Sequence, residues 1–162
     1  MPSPPSDLTT LLGRLAATGA DFVLVGGLAA VAQGATLTTQ DIDIVHRRTP
    51  ENVDKLLAFL SAINATYRER PEAAILPSRG ALLGAGHNLL MTDLGPLDLL
   101  GAIEGGRDYD QLLGHAITVQ VGDHPVHVLG IETLAELKRS ATSAKDRRTL
   151  AILEETIRRR PR

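Results

Sequence analysis

Apolar and polar positions along this chain change their period several times, and each change marks an element. Leu8, Leu11, Leu12 and Leu15 recur at helical spacing, which predicts a first helix stopped by Gly19. Asp21-Phe22-Val23-Leu24-Val25 is a short apolar run and reads as a buried strand. Gly26-Gly27 breaks that run, and the Ala-rich stretch Leu28 to Gln33 predicts a short helix closed by Gly34. Thr39-Gln40-Asp41-Ile42-Asp43-Ile44-Val45 alternates acidic and apolar residues, as a strand with both carboxylates on one face does. Thr49-Pro50-Glu51 is a helix start: a capping threonine, proline at the first position and an acid near the positive end. Val53, Leu56, Leu57, Leu60 and Ile63 supply that helix with its apolar stripe.

Residues 64–86 read as loops with one short strand. Asn88 to Thr92 and Leu97 to Leu100 predict two strands joined at Leu94-Gly95-Pro96. Ala116 to Val121 and Val126 to Leu129 flank Gly122-Asp123, a hairpin signal. From Glu132 to Arg160 the pattern is helical, with Leu134, Leu137, Leu150, Leu153 and Ile157 facing inward. These elements predict one mixed α/β (α+β) domain over residues 1–162, in which a twisted sheet carries the site and helices cover its other face. Residues 1–6 form a Pro/Ser tail expected to be disordered, and residues 158–162 a basic tail.

Composition narrows the function. A length of 162 residues suits one domain with an ordinary core. The net charge of −2 argues against a charge-driven nucleic-acid binder. Phe22, Phe59, Tyr67 and Tyr109 are the only aromatics, too few for a base-stacking platform. With no cysteine, a thiol nucleophile and thiolate metal sites are excluded. The start lacks a signal-peptide pattern, and no apolar stretch approaches the roughly 20 residues that span a bilayer, so a cytoplasmic protein without membrane contact is expected.

Three features carry candidate chemistry. Gly26-Gly27 between a strand and a helix presents bare backbone N–H groups that suit phosphate oxygens. Asp41 and Asp43, at i and i+2 on a strand, lie about 6–7 Å apart along it and point the same way. Two such carboxylates repel each other and call for a cation, and magnesium prefers one or two carboxylates with phosphate oxygens and water. Asp98 is a lone acid in the apolar run Pro96-Leu97-Asp98-Leu99-Leu100, where aspartate is uncommon. Three carboxylates can hold two metal ions. Taken singly, each feature also has a structural explanation: a packing turn, a solvated strand face, a hydrogen-bonded aspartate. His46, His87, His115, His124 and His127 show no metal-ligand spacing.

The run Val25-Gly26-Gly27-Leu28-Ala29 followed by Thr39-Gln40-Asp41-Ile42-Asp43-Ile44 resembles the signature of the DNA polymerase beta-type nucleotidyltransferase superfamily, closest to the bacterial branch of AbiEii-type toxins and stand-alone nucleotidyltransferases. The resemblance implies a nucleotidyltransferase fold. It implies that Gly26 and Gly27 hold a nucleoside triphosphate and that Asp41, Asp43 and Asp98 bind magnesium, two ions in all. Leu134-Ala135-Glu136-Leu137-Lys138 and Ala144-Lys145-Asp146 are similar to the family's helical lysine elements, whose lysines, here Lys138 and Lys145, would face the phosphates or the acceptor. The implied reaction moves a nucleoside monophosphate from a triphosphate to an acceptor hydroxyl on a tRNA, a protein or a small molecule. A toxin role would add an antitoxin partner. Leu37 stands where the family often has arginine, and many toxins of this branch carry a larger C-terminal half. The alternative is a degenerate member that binds a nucleotide or partner without turnover. A dinucleotide-binding fold lacks its Gly-x-Gly-x-x-Gly here, and a metal-dependent glycosyltransferase leaves the glycine turn unexplained.

Overall fold

The computed structural model describes residues 6–161, so all but Ser6 of the N-terminal tail, and Arg162 of the basic one, lie outside the described residues. Helix α1 (Leu8–Ala17) starts at Asp7, whose carboxylate accepts from Thr10 N–H. Strand β1 (Phe22–Val25) is buried along its whole length. It runs directly into α2 (Gly26–Val31), so the short helix begins at the first glycine rather than at Leu28. Strand β2 (Ile42–His46) and helix α3 (Pro50–Ala62) follow, the latter capped by the Thr49 hydroxyl as its sequence predicts.

Residues 64–86 hold the short strand β3 (Thr66–Tyr67) and also helix α4 (Arg79–Leu83), which sequence periodicity did not mark. Strands β4 (His87–Thr92) and β5 (Gly95–Leu100) form the expected hairpin. Helix α5 (Tyr109–Leu113), fixed by an Asp108/Gln111 capping box, was not anticipated. The second hairpin is β6 (Ala116–Val121) and β7 (His124–Leu129) around Gly122, whose φ is +60°. The C-terminal helical pattern resolves into two helices, α6 (Ile131–Arg139) and α7 (Ala144–Arg159), because Ser143 caps the second with its hydroxyl on Asp146 N–H.

The seven strands make one mixed sheet in the order β3-β4-β5-β2-β1-β7-β6. At its centre β2 pairs antiparallel with β1 and parallel with β5. Leu24, Ile44, Leu97 and Leu99 are at most 1% exposed and form one face of that centre. Helix α2 packs on β1 and β2 and against α6, which packs on α7. Helices therefore stand beside the acidic residues as well, not only over the opposite face as the sequence suggested. Among the described residues no helix is long and apolar enough to cross a membrane.

Buried Asn52 ties α3 to the sheet. Its Oδ1 accepts from Asp21 N–H (2.6 Å), and its Nδ2 donates to the carbonyls of Asp21 (2.9 Å) and Arg47 (2.8 Å). Asn52→Leu leaves Asp21 N–H and the Arg47 carbonyl without partners, while the Asp21 carbonyl keeps Arg47 N–H (3.1 Å), and should lower unfolding free energy by about 2–4 kcal/mol. Urea denaturation measures this, and a change below about 0.5 kcal/mol would show the three bonds to be dispensable.

Candidate active site

One row of side chains across the sheet holds the chemistry. In register, Val25 faces Asp43, Asp43 faces Asp98, and Asp98 faces Leu89. Paired residues point to the same face of a sheet, so strands β2 and β5 bring two carboxylates together from positions far apart in sequence. Asp41 lies just before β2 rather than within it, yet its carboxylate joins the group. One oxygen of each of Asp41, Asp43 and Asp98 lies within 4.8 Å of the others.

The electrostatic consequence falls on Asp43. Burial, a hydrogen bond to the Asp98 carboxyl and the charges of Asp41 and Asp98 push its carboxyl up to about 8, against a weaker opposing pull from Arg68. The Asp41 carboxyl is also raised, first by burial and then by Asp98. Close, partly buried acids of this kind fit a divalent cation, which supplies the missing positive charge. Asp41, Asp43 and Asp98 are the residues that would hold it, and magnesium suits a set made of oxygen donors alone.

Arg68 is the residue that sequence reasoning missed. It follows β3, where its N–H donates to Leu89 O (3.0 Å), which extends the row by one strand. Its Nη1 donates to Asp98 Oδ1 (2.5 Å) and to Leu90 O (2.8 Å). The guanidinium is held even further toward its charged form, chiefly by the hydrogen bond to Asp98. The only signal was an arginine after the β-prone pair Thr66-Tyr67, in the stretch with least pattern.

The glycines have distinct packing roles. Gly26 has φ +72°, and a Cβ there would collide with the Asp43 carboxylate. Its bare backbone is what admits the acid. At Gly27 a Cβ would meet Thr39 Oγ1 at 3.1 Å and Leu37 Cδ1 at 3.3 Å, so the 37–39 segment lies against this turn. The place at which an arginine was expected is thus a leucine seated on the glycine turn.

A cleft of about 720 Å³ opens over the row. Gly26, Gly27, Asp41, Asp43, Arg68, Lys138 and Lys145 line it. Asp98 lies behind, in an adjoining cavity that also reaches Asp43 and Lys138. The two lysines come from different helices, not from one face of a single helix. Lys138 Nζ donates to Asp146 Oδ1 (2.9 Å), while Lys145 has no ion pair among the described residues and lies near enough to Asp41 to favour its charged form. Among the histidines, His46 is fully buried and bonded through Nε2 to Leu82 O (2.7 Å), and the other four are exposed.

Solved structures similar to this chain include the following two. One is a protein from Thermotoga maritima assigned provisionally to the nucleotidyltransferases, at 17% identity over 94% of this chain and 91% of that one, with a TM-score of 0.53. The other is LnuA, a lincosamide antibiotic adenylyltransferase with lincomycin bound, at 14% identity over 93% of this chain and 96% of that one, with a TM-score of 0.59. No family model matches the chain, and no curated protein matches it. The fold is that of the nucleotidyltransferases. The narrower AbiEii branch finds no counterpart in these likenesses.

The raised Asp43 carboxyl gives a pH signature. Between 3.8 and about 8 the folded chain keeps a proton that the unfolded chain has released. Metal-free protein should therefore lose stability as pH rises through that window. Asp43→Asn should flatten the dependence, as thermal melts in chelator would show. A wild-type melting temperature that rises from pH 5 to 8 by as much as the variant's would contradict the geometry.

Proposed function

We propose that this protein is a divalent-metal-dependent nucleotidyltransferase, moving a nucleoside monophosphate from a triphosphate to an acceptor hydroxyl. The observation that carries the reading is the trio Asp41, Asp43 and Asp98 beneath a cleft walled by the glycine turn and by Lys138 and Lys145. Magnesium is the cation that best suits these donors, and two ions fit the number of carboxylates. Bound metal would supply charge neutralisation and a more acidic acceptor hydroxyl.

The chain's own groups have separable tasks. Gly26 and Gly27, whose missing side chains admit Asp43 and the 37–39 segment, offer backbone N–H groups to phosphate oxygens. Lys145, free of an acidic partner among the described residues, meets the phosphate charge, with Lys138 behind it. Arg68 restrains Asp98 so that its carboxylate stays aimed along the row. In the reaction the acceptor oxygen bonds the α-phosphorus and the bond from that phosphorus to the bridging oxygen breaks. The electron pair leaves on pyrophosphate, and the acceptor proton goes to solvent or to a carboxylate of the trio.

A small hydroxylated acceptor fits better than a tRNA or a protein side chain. The net charge of −2 and the four aromatics disfavour an RNA surface. LnuA, whose length this chain nearly spans, acts on a small antibiotic. A toxin role with an antitoxin partner is a narrower form of the same activity. The degenerate reading draws on Leu37 and on Arg68 already paired with Asp98, and it expects metal-dependent triphosphate binding with no pyrophosphate release.

Each nucleoside triphosphate, labelled at the α-phosphate, is incubated with the protein, magnesium and a cell extract, and the labelled product is identified. Asp41→Asn, Asp43→Asn and Asp98→Asn should each cut labelling and pyrophosphate release about a hundredfold or more. Their folds should be retained, since asparagine nearly matches aspartate in shape: Asp41→Asn removes a repelling charge, Asp43→Asn replaces a carboxyl that is protonated up to about pH 8, and Asp98→Asn keeps an oxygen that can accept from Arg68. Unchanged turnover in any of them removes that residue from the site.

Triphosphate affinity followed by calorimetry should weaken at least about tenfold in chelator, because polyphosphate and three carboxylates repel when no cation lies between them. Equal affinity with and without metal would defeat the metal-bridged reading.

A further inference from the structure

The carboxylate row separates two cavities of different character. The larger cleft carries the glycine turn, Arg68 and Lys145, all suited to phosphate. The smaller, about 300 Å³, lies on the other side of Gly26, Asp43, Leu134 and Lys138, the residues common to both. Its wall is mostly apolar: Val25, Leu89, Leu100, Ile103, Leu134 and Leu137. Its charged groups are Asp43 and Asp98 on the floor, Lys138 with Asp146, and Glu104 at the rim.

The charges of this cavity nearly cancel. Lys138 and Asp146 are paired at 2.9 Å, with Asp146 also accepting from the Ser143 hydroxyl. Asp98 is paired with Arg68, and under the nucleotidyltransferase reading Asp43 and Asp98 face the metal. Glu104 remains, exposed and without an ion pair among the described residues. It is the one net charge presented to an occupant. The loop that carries it is held in place: Ile103 N–H donates to Arg107 O (2.9 Å), Gly106 N–H donates to Ile103 O (2.9 Å), and the His87 ring Nε2 bonds Ala102 O (2.9 Å).

We propose that this second cavity is the acceptor subsite and that it takes a small amine-bearing alcohol with an apolar body. The apolar body lies on the leucine wall, the ammonium pairs with Glu104, and the hydroxyl reaches the carboxylates that border both cavities. The same features exclude other occupants. A nucleic acid would bring phosphate to a rim with an unpaired carboxylate and no unpaired cation, and a cavity of about 300 Å³ sits at the small end of ligand sites. The inference rests on the proposed nucleotidyl transfer for the direction in which the hydroxyl points, but not for the chemistry of the pocket.

Isotope-labelled full-length protein, with magnesium and ATP present, is titrated by NMR with phenylalaninol, N-acetylphenylalaninol, glucose and a short RNA. Phenylalaninol should shift the resonances of Ile103, Glu104 and Leu137 and bind about two- to fivefold more tightly than its N-acetyl form, the worth of one exposed charge pair. Glu104→Gln should abolish that preference without altering the shifts that ATP causes at Gly27 and Lys145. Equal binding of the two alcohols, shifts confined to other surfaces, no binding, or binding of RNA alone would each overturn the proposal. Failure of ATP to shift Gly27 and Lys145 would instead count against the nucleotidyltransferase reading, and the two failures are read from different resonances.

Discussion

The parallel pairing of β2 with β5 is the constraint on which the rest of the site depends. It places Asp43 opposite Asp98 on one face of the sheet. A slip of one residue would turn one of the two acids to the opposite face, among the fully buried leucines and isoleucines. Register is guarded by that same apolar face, where Ile44 sits opposite Leu99 and Ile42 opposite Leu97, all at 0% exposure. The hydrophobic core thus does for the acids what they cannot do for themselves, since like charges at this spacing favour moving apart.

Two concessions make the acid row tolerable. Gly26 gives up a side chain, and with it the steric bar to the Asp43 carboxylate lying against the turn. Arg68 reaches in from beyond β3 and neutralises Asp98. What remains is a deficit of positive charge centred on Asp43, whose carboxyl answers by holding a proton to about pH 8. A site arranged this way is poised for a cation and is costly without one.

The local parts of this design were readable from sequence because local rules govern them. The strand around Val23, the glycine break, the Thr49-Pro50 start and the Gly122-Asp123 turn each follow from residues adjacent in the chain. Asp41 and Asp43 were legible by their spacing, although only Asp43 lies within the strand. Asp98 stood out as a charge in an apolar run. What stayed hidden depends on contacts between distant residues. Arg68 matters only because β3 joins the sheet beside β4, and nothing near Arg68 in sequence announces that. Helices α4 and α5 are five residues each, too short to establish a period. The break between α6 and α7 is set by a serine cap inside an otherwise helical pattern, so Lys138 and Lys145 looked like neighbours on one helix when they face the cleft from two.

Under the proposed function, Asp41, Asp43 and Asp98 act together as ligands of a divalent cation that nucleotide brings into the cleft. Electron paramagnetic resonance of manganese, used in place of magnesium, reads this directly. Wild-type protein with a non-hydrolysable ATP analogue should immobilise manganese at a stoichiometry of one or two ions per chain. Replacing any one of the three aspartates by alanine should release at least one ion. Manganese held equally by wild type and all three variants, or held only by the nucleotide, would contradict it.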